Sequence, residues 1–187
     1  MTTTLDGSVE LLERALGYTR SRLADVHDGV LDRPTPCAGW TLADLLTHMD
    51  DALDAFTEAA GGSVDVHGGT RARSRVAAIT QKACALLGAW AGPSPGDVVI
   101  TTQRGRLDLA SGLLVATAAL EVTVHGWDVG QSTGAAAPVP AALAHDLLPV
   151  ARLVVGPADR GVRFARERPV PAAVPDDLRL LAYLGRG

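Results

Sequence analysis

Glu121 and His125, two residue types that commonly bind metals, stand four apart inside an Ala- and Leu-rich stretch that reads as one long helix, about Ala110 to Gln131. On an α-helix, positions i and i+4 share a face one turn apart. From Val115 to His125 the stretch holds no other charged residue than Glu121. A carboxylate on a buried face is costly unless it is paired or bound to a metal. The helix therefore needs neighbours that either neutralise Glu121 or complete a metal site with it.

The best such neighbour is a second helical pattern, W-T-L-A-D-L-L-T-H-M at 40–49. Thr41 followed three residues later by Asp44 resembles a capping box, with Asp in the place Glu usually takes. Leu42, Leu45, Leu46, Met49, Leu53 and Phe56 form an apolar stripe, His48 sits beside it, and Gly61 and Gly62 end the helix. A first helix is expected from about Ser8 to Val26, on Leu12, Ala15, Leu16, Leu23 and Val26. A loop with Gly29, Pro34, Pro36 and Gly39 separates these two helices.

Residues 61–69 read as a polar, Gly-rich loop. A third helix is expected from about Thr70 to Trp90, stopped by Gly92, Pro93, Pro95 and Gly96. The β-prone runs D-V-V-I-T-T and G-R-L-D-L flank Gln103-Arg104-Gly105 and are placed to pair as a small hairpin. A fifth helix is expected over roughly Pro140 to Val155. Beyond Gly156 the chain reads as a loop rich in Pro, ending in a short apolar helix over Asp176 to Leu184. No solenoid-type repeat is present. The expected fold class is all-α: one domain over 1–187, a helical bundle with a small β-hairpin and a short C-terminal extension.

His48, Glu121 and His125 are the candidate metal ligands. Two His and one Glu leave a coordination position open, as in catalytic rather than structural zinc sites. Such a donor set suits Zn²⁺, and also Ni²⁺, Co²⁺, Mn²⁺ or Fe²⁺; zinc is the first expectation. The alternative is a buried Glu–His ion pair, which needs no third partner. His27, His67 and His145 read as exposed.

Around these ligands, Asp128 and Asp51 each follow a candidate His by three residues. Asp128 is read either as an acceptor that orients a ligand or a Trp, or as a cap in the W-D-V-G turn. Asp51 is a weaker candidate in an acidic, exposed-looking run. Trp40 and Trp127 flank the ligand segments and are read mainly as core packing. Cys37, one short turn before the His48 helix, is read mainly as a small buried turn residue, the alternative being a place near the mouth of the site.

Composition narrows the function class. At 47% hydrophobic and 20% charged, the chain has an ordinary globular composition. Its formal charge of -4 and pI near 5.7 give no field to attract nucleic acid or an anionic membrane. A single lysine, Lys82, among many arginines and no Asn points to a high-GC genome. The alternating Arg71, Arg73 and Arg75 read as a solvated face. Cys37 and Cys84 form neither a disulfide framework nor a CxxC zinc motif. Without a signal-peptide pattern or an apolar run of membrane-spanning length, the expected location is cytoplasmic.

Two longer motifs carry a resemblance. T-P-C-A-G-W-T-L-A-D-L-L-T-H-M at 35–49 and E-V-T-V-H-G-W-D-V-G-Q-S-T-G at 121–134 resemble the two motifs of the mycothiol-dependent maleylpyruvate isomerase family, in the DinB-like metal-binding superfamily. The tail V-P-D-D-L-R-L-L-A-Y-L-G-R at 174–186 is similar to that of its short, single-domain actinobacterial members. The resemblance implies a DinB-like four-helix bundle with a divalent metal, usually zinc, held by His48, Glu121 and His125.

It also implies a reaction class. A low-molecular-weight thiol such as mycothiol is activated and adds to a small electrophile, for S-transfer or cis–trans isomerisation. Maleylpyruvate isomerase itself carries a further C-terminal domain, so contacts made by that domain are expected to be missing from these 187 residues. The other functions open at this point are a thiol-independent metal hydrolase, lyase or cyclase, and a non-catalytic bundle that binds a small molecule. The expected partners are a small electrophile and a thiol, with no nucleic acid and no membrane. The protein is expected as monomer or homodimer.

Overall fold

The computed structural model describes residues 5–64, 75–102 and 105–187. Its helices are α1 (Leu5–Leu23), α2 (Leu42–Ala59), α3 (Arg75–Ala91), α4 (Ser111–Thr133), α5 (Ala141–Val154) and α6 (Asp176–Tyr183). Its strands are β1 (Ser63–Val64), β2 (Asp97–Thr102) and β3 (Gly105–Ala110). Helices α1 to α4 make the bundle: α1 runs along α4, α2 packs on α3 and α4, and α5 lies between α4 and α6. Among the described residues, no helix is long and apolar enough to cross a membrane.

The local signals explain most of this order. Thr41 caps α2 with a complete capping box: its hydroxyl accepts from the Asp44 amide, and the Asp44 carboxylate accepts from the Thr41 amide at 3.0 Å. The stripe that follows is buried at Leu42, Leu45, Leu46, Met49 and Leu53. Helix α4 buries residues on every side, from Leu114 and Val115 to Val129, which identifies it as the central helix of the bundle. The hairpin forms as expected, with Asp97 opposite Ala110 and Thr102 opposite Gly105.

Three differences from the sequence expectations have local causes. Helix α1 spans Leu5–Leu23 rather than 8–26, because the chain turns at Leu23, whose carbonyl accepts the Val26 amide at 3.2 Å. Val26 still packs on the core, from the turn. Strand β1 adds a third, parallel strand, pairing Ser63 with Val99 and Val64 with Ile100. Two residues are too short to show a period-2 pattern in a Gly-rich segment. The expected start of the third helix at Thr70, together with His67, Arg71 and Arg73, lies outside the described residues.

Helices α1 and α4 approach closely at Gly126. A Cβ there would lie 3.0 Å from the Thr19 Cβ and 3.1 Å from its Cα. The Thr19 hydroxyl, buried in this contact, donates to the Val122 carbonyl at 2.8 Å. The missing side chain at 126 is thus what lets α1 cross α4 directly beside His125.

Candidate functional site

Helix α2 and helix α4 bring His48, Glu121 and His125 together. The two imidazole Nε2 atoms converge on one carboxylate oxygen: His48 lies 3.1 Å and His125 3.2 Å from Glu121 Oε1. One ligand atom from each residue lies within 4.8 Å of the others, so the three could hold a metal ion. The arrangement also positions the rings. His48 is edge-on to Trp40 at 5.1 Å and to His125 at 5.0 Å between centroids.

A buried partner holds His125 from behind. Its Nδ1 lies 3.1 Å from Asp128 Oδ2. With Asp128 ionised, Nδ1 carries a proton and donates it, which turns Nε2 toward Glu121. Asp128 is fully buried and is itself held by Arg186, which donates from Nη2 to Oδ2 at 2.9 Å and from Nε to Oδ1 at 3.3 Å. Cys37 completes the group: its Sγ lies 3.4 Å from Asp128 Oδ2, 3.4 Å from Arg186 Nη2 and 4.0 Å from His125 Nδ1. Cys37, His125 and Asp128 make a second set of potential ligands on the far side of the same imidazole.

Charge coupling dominates these groups. For Glu121, burial alone would raise the pKa, yet the hydrogen bonds and charges of His125 and His48 hold it well below the ordinary carboxylate range. For His125, burial opposes charge, but Asp128, Cys37 and Glu121 together raise its pKa well above the ordinary imidazole value. Asp128 is likewise held low against its burial by His125 and Arg186. Glu121, His125 and Asp128 thus stabilise one another's charged forms.

Two cavities meet at this cluster. One, of about 480 Å³, is lined by His48, Glu121 and His125 with Cys37, Trp40 and Arg186 and the segment Gly161 to Ala165. The other, of about 330 Å³, lies among α1, α2, α3 and α4 and also reaches Glu121 and His125.

Of the residues singled out in the sequence, the fold brings together His48, Glu121, His125, Asp128, Trp40 and Cys37. Trp40 does so differently from the core role expected of it: it is 37% exposed and covers the His48 ring. Trp127 packs on the core and lines neither of these two cavities. Asp51 stays on the exposed face of α2 and also lines neither. His27 and His145 are exposed; His27 accepts from the Gly29 amide and His145 pairs with Asp176 at 2.8 Å.

Arg186 went unnoticed in the sequence. The available signal was Asp128 itself, an acid in a helix too apolar to leave it unpaired. Gly185 makes the approach possible, at φ +77 and with a hypothetical Cβ 2.7 Å from that of Ala165.

Comparison with known proteins places the chain in a family and a fold. Two relatives, uncharacterized proteins from two strains of Mycobacterium tuberculosis, are each 28% identical over 176 residues, covering 93% of this chain and 94% of the relative. The crystal structure of the mycothiol-dependent maleylpyruvate isomerase aligns with a TM-score of 0.56 at 18% identity, over 81% of this chain and 70% of that one. A histidine-to-alanine mutant of that enzyme aligns with the same TM-score at 17% identity. These two structures establish the shared fold. The family model described as the mycothiol maleylpyruvate isomerase N-terminal domain matches residues 12–130, and the chain belongs to that family.

Proposed function

We propose that this protein is a metal-dependent enzyme that activates a low-molecular-weight thiol, such as mycothiol, for transfer to or isomerisation of a small electrophile. The observation that carries this reading is the convergence of His48 Nε2 and His125 Nε2 on Glu121 Oε1, at the wall of a cavity. Family membership and the fold shared with the mycothiol-dependent maleylpyruvate isomerase support the thiol and the reaction class.

The residues fit a divalent ion. They offer two neutral nitrogens and one carboxylate, a set suited to zinc, and Asp128 fixes the tautomer that presents Nε2. A metal held by His48, Glu121 and His125 supplies a Lewis acid that lowers the pKa of a thiol toward neutrality.

The chain's own residues prepare that chemistry. Arg186 neutralises Asp128, so Asp128 remains a carboxylate at full burial and keeps the His125 Nδ1 proton in place. Trp40 and His125 hold the His48 ring between them. The larger cavity leaves room for a thiol beside all three ligand residues. The thiol sulfur adds to an electrophilic carbon. The adduct either persists, giving S-transfer, or rotates about the former double bond and expels the thiol, giving isomerisation.

The test is metal content of protein purified without an affinity tag, beside the His48→Ala/His125→Ala double variant, followed by mass-spectrometric assay of mycothiol with candidate electrophiles. About one divalent ion per chain, lost in the variant, together with thiol-dependent turnover is the expected outcome. A wild-type protein that binds no metal after reconstitution would overturn the reading and leave a buried ion cluster.

A further inference from the structure

The two cavities that meet at Glu121 and His125 differ in chemistry. The larger one presents polar and ionisable groups, including Cys37, His48, Arg163 and Arg186. The smaller one is walled by Leu16, Leu23, Met49, Leu53, Phe56 and Ile79. Its two hydroxyls are already committed: Thr19 donates to the Val122 carbonyl and Thr80 to the Val76 carbonyl, each at 2.8 Å. Its charged lining residues away from the His–Glu cluster are Glu13 and Arg20, one of each sign, both exposed.

We infer that the smaller cavity is the electrophile's site and takes an uncharged, largely hydrocarbon molecule with its reactive carbon toward Glu121 and His125. This inference rests on the reading of the cluster as a catalytic centre and adds the substrate class. Away from the His–Glu cluster, the exposed Arg20, offset by Glu13, is the one charged donor lining this cavity, so a carboxylate carried among its apolar walls would lose hydration without a matching set of donors. An apolar body loses nothing and gains contact with six or more apolar side chains. The volume of about 330 Å³ sits at the small end of the range of ligand pockets, which is about 300–1,000 Å³. A dianionic keto acid such as maleylpyruvate is the wrong chemistry for this wall. The geometry also separates the reactants: the thiol enters from the polar side and the electrophile from the apolar side. They meet only across Glu121 and His125, the residues shared by both cavities.

The experiment is fluorescence titration with an uncharged probe, N-phenyl-1-naphthylamine, competed by 1-naphthol and by 1-naphthoate. The wild type is compared with Ala83→Phe and, in case that variant does not fold, Ala52→Phe; each substitution fills part of this cavity. The probe is expected to saturate a single site and to weaken at least about tenfold in either folded variant, with metal content unchanged. The neutral naphthol is expected to compete at least about tenfold better than the carboxylate. Thiol consumption with an uncharged enone, read in parallel, should exceed that with maleylpyruvate. Probe binding untouched by both substitutions, or equal competition by the carboxylate, would overturn the substrate class and leave the metal reading intact. Probe binding as expected in a protein that takes up no metal would overturn the catalytic reading and leave the apolar site standing.

Discussion

Among the salt bridges of the described residues, two differ sharply in their surroundings. Around α4, Arg186 grips Asp128 at 2.9 Å, with side-chain exposures of 7% and 0%. Between α2 and α3, the chain's single lysine, Lys82, grips Asp50 at 2.6 Å and Asp54 at 2.7 Å, with Lys82 28% and Asp54 54% exposed. The second cluster has the shorter distances and two acids on one cation, yet it is the weaker one. Water reaches Lys82 and Asp54, though Asp50 is only 15% exposed, so much of the attraction is screened and side-chain entropy opposes it. In the first, each charge has left water and depends on the partners the protein supplies, the other charge foremost. Burial, rather than distance, decides what a salt bridge is worth.

The largest expected effect follows from breaking the buried pair on one side only. Arg186→Met leaves the buried Asp128 carboxylate with only His125 and Cys37 as partners and should destabilise the protein by about 3–5 kcal/mol, read as a lowered urea midpoint. Adding Asp128→Asn should recover much of that loss. If the single and double variants lose the same stability, the buried pair is no stronger than a surface one. The pH dependence sharpens the point. The folded pKa of Asp128 lies below its unfolded value. Its contribution is therefore present above about pH 4 and is lost as pH falls through the lowered folded value. The Arg186→Met protein should show a flatter acid limb than the wild type.

A smaller effect is expected where no charge is involved. Gly126→Ala forces α1 away from α4 at Thr19 and should cost about 1–3 kcal/mol by overpacking. It also measures how much of the cost at the site is packing rather than electrostatics. The smallest effect belongs to the exposed cluster. Lys82→Met should change stability by less than about 1 kcal/mol, and the difference should shrink further in high salt. A large loss there would break the comparison outright.

Uptake of metal provides a further contrast. Because Asp128, Cys37 and Glu121 raise the proton affinity of His125, an ion binding there must displace a proton. Calorimetric titration in buffers of different ionisation enthalpy should report about one proton released per ion. Apparent affinity should fall as the pH falls.

How much was legible in the sequence follows the same division between local and distant. The Thr41–Asp44 capping box, the α2 stripe and the Glu121–His125 spacing are short-range signals, and the elements that rest on them formed where expected. Pairing of His48 with Glu121 spans two helices but could be anticipated, because both stood in apolar patterns that had no other use for them. Arg186 could not be singled out. One arginine among sixteen carries no local mark, and its role depends on where a loop and a short helix return to the bundle. Trp40 misled for a related reason: an indole beside an apolar stripe reads as core, whereas its partner is the His48 ring.

The Gly185 turn that delivers Arg186 also sets an order of events. Arg186 meets Asp128 across 58 residues of chain and Cys37 across 149. Both contacts need α4 and the loop before α2 to be packed together already, so they form on a bundle that is in place. Until α6 docks and turns at Gly185, the acid at the centre of the bundle has His125 but not its arginine partner. Refolding should therefore show the helices first and the locked His125 afterwards. A chain caught between those stages has its ligand residues in place but the imidazole still free to turn.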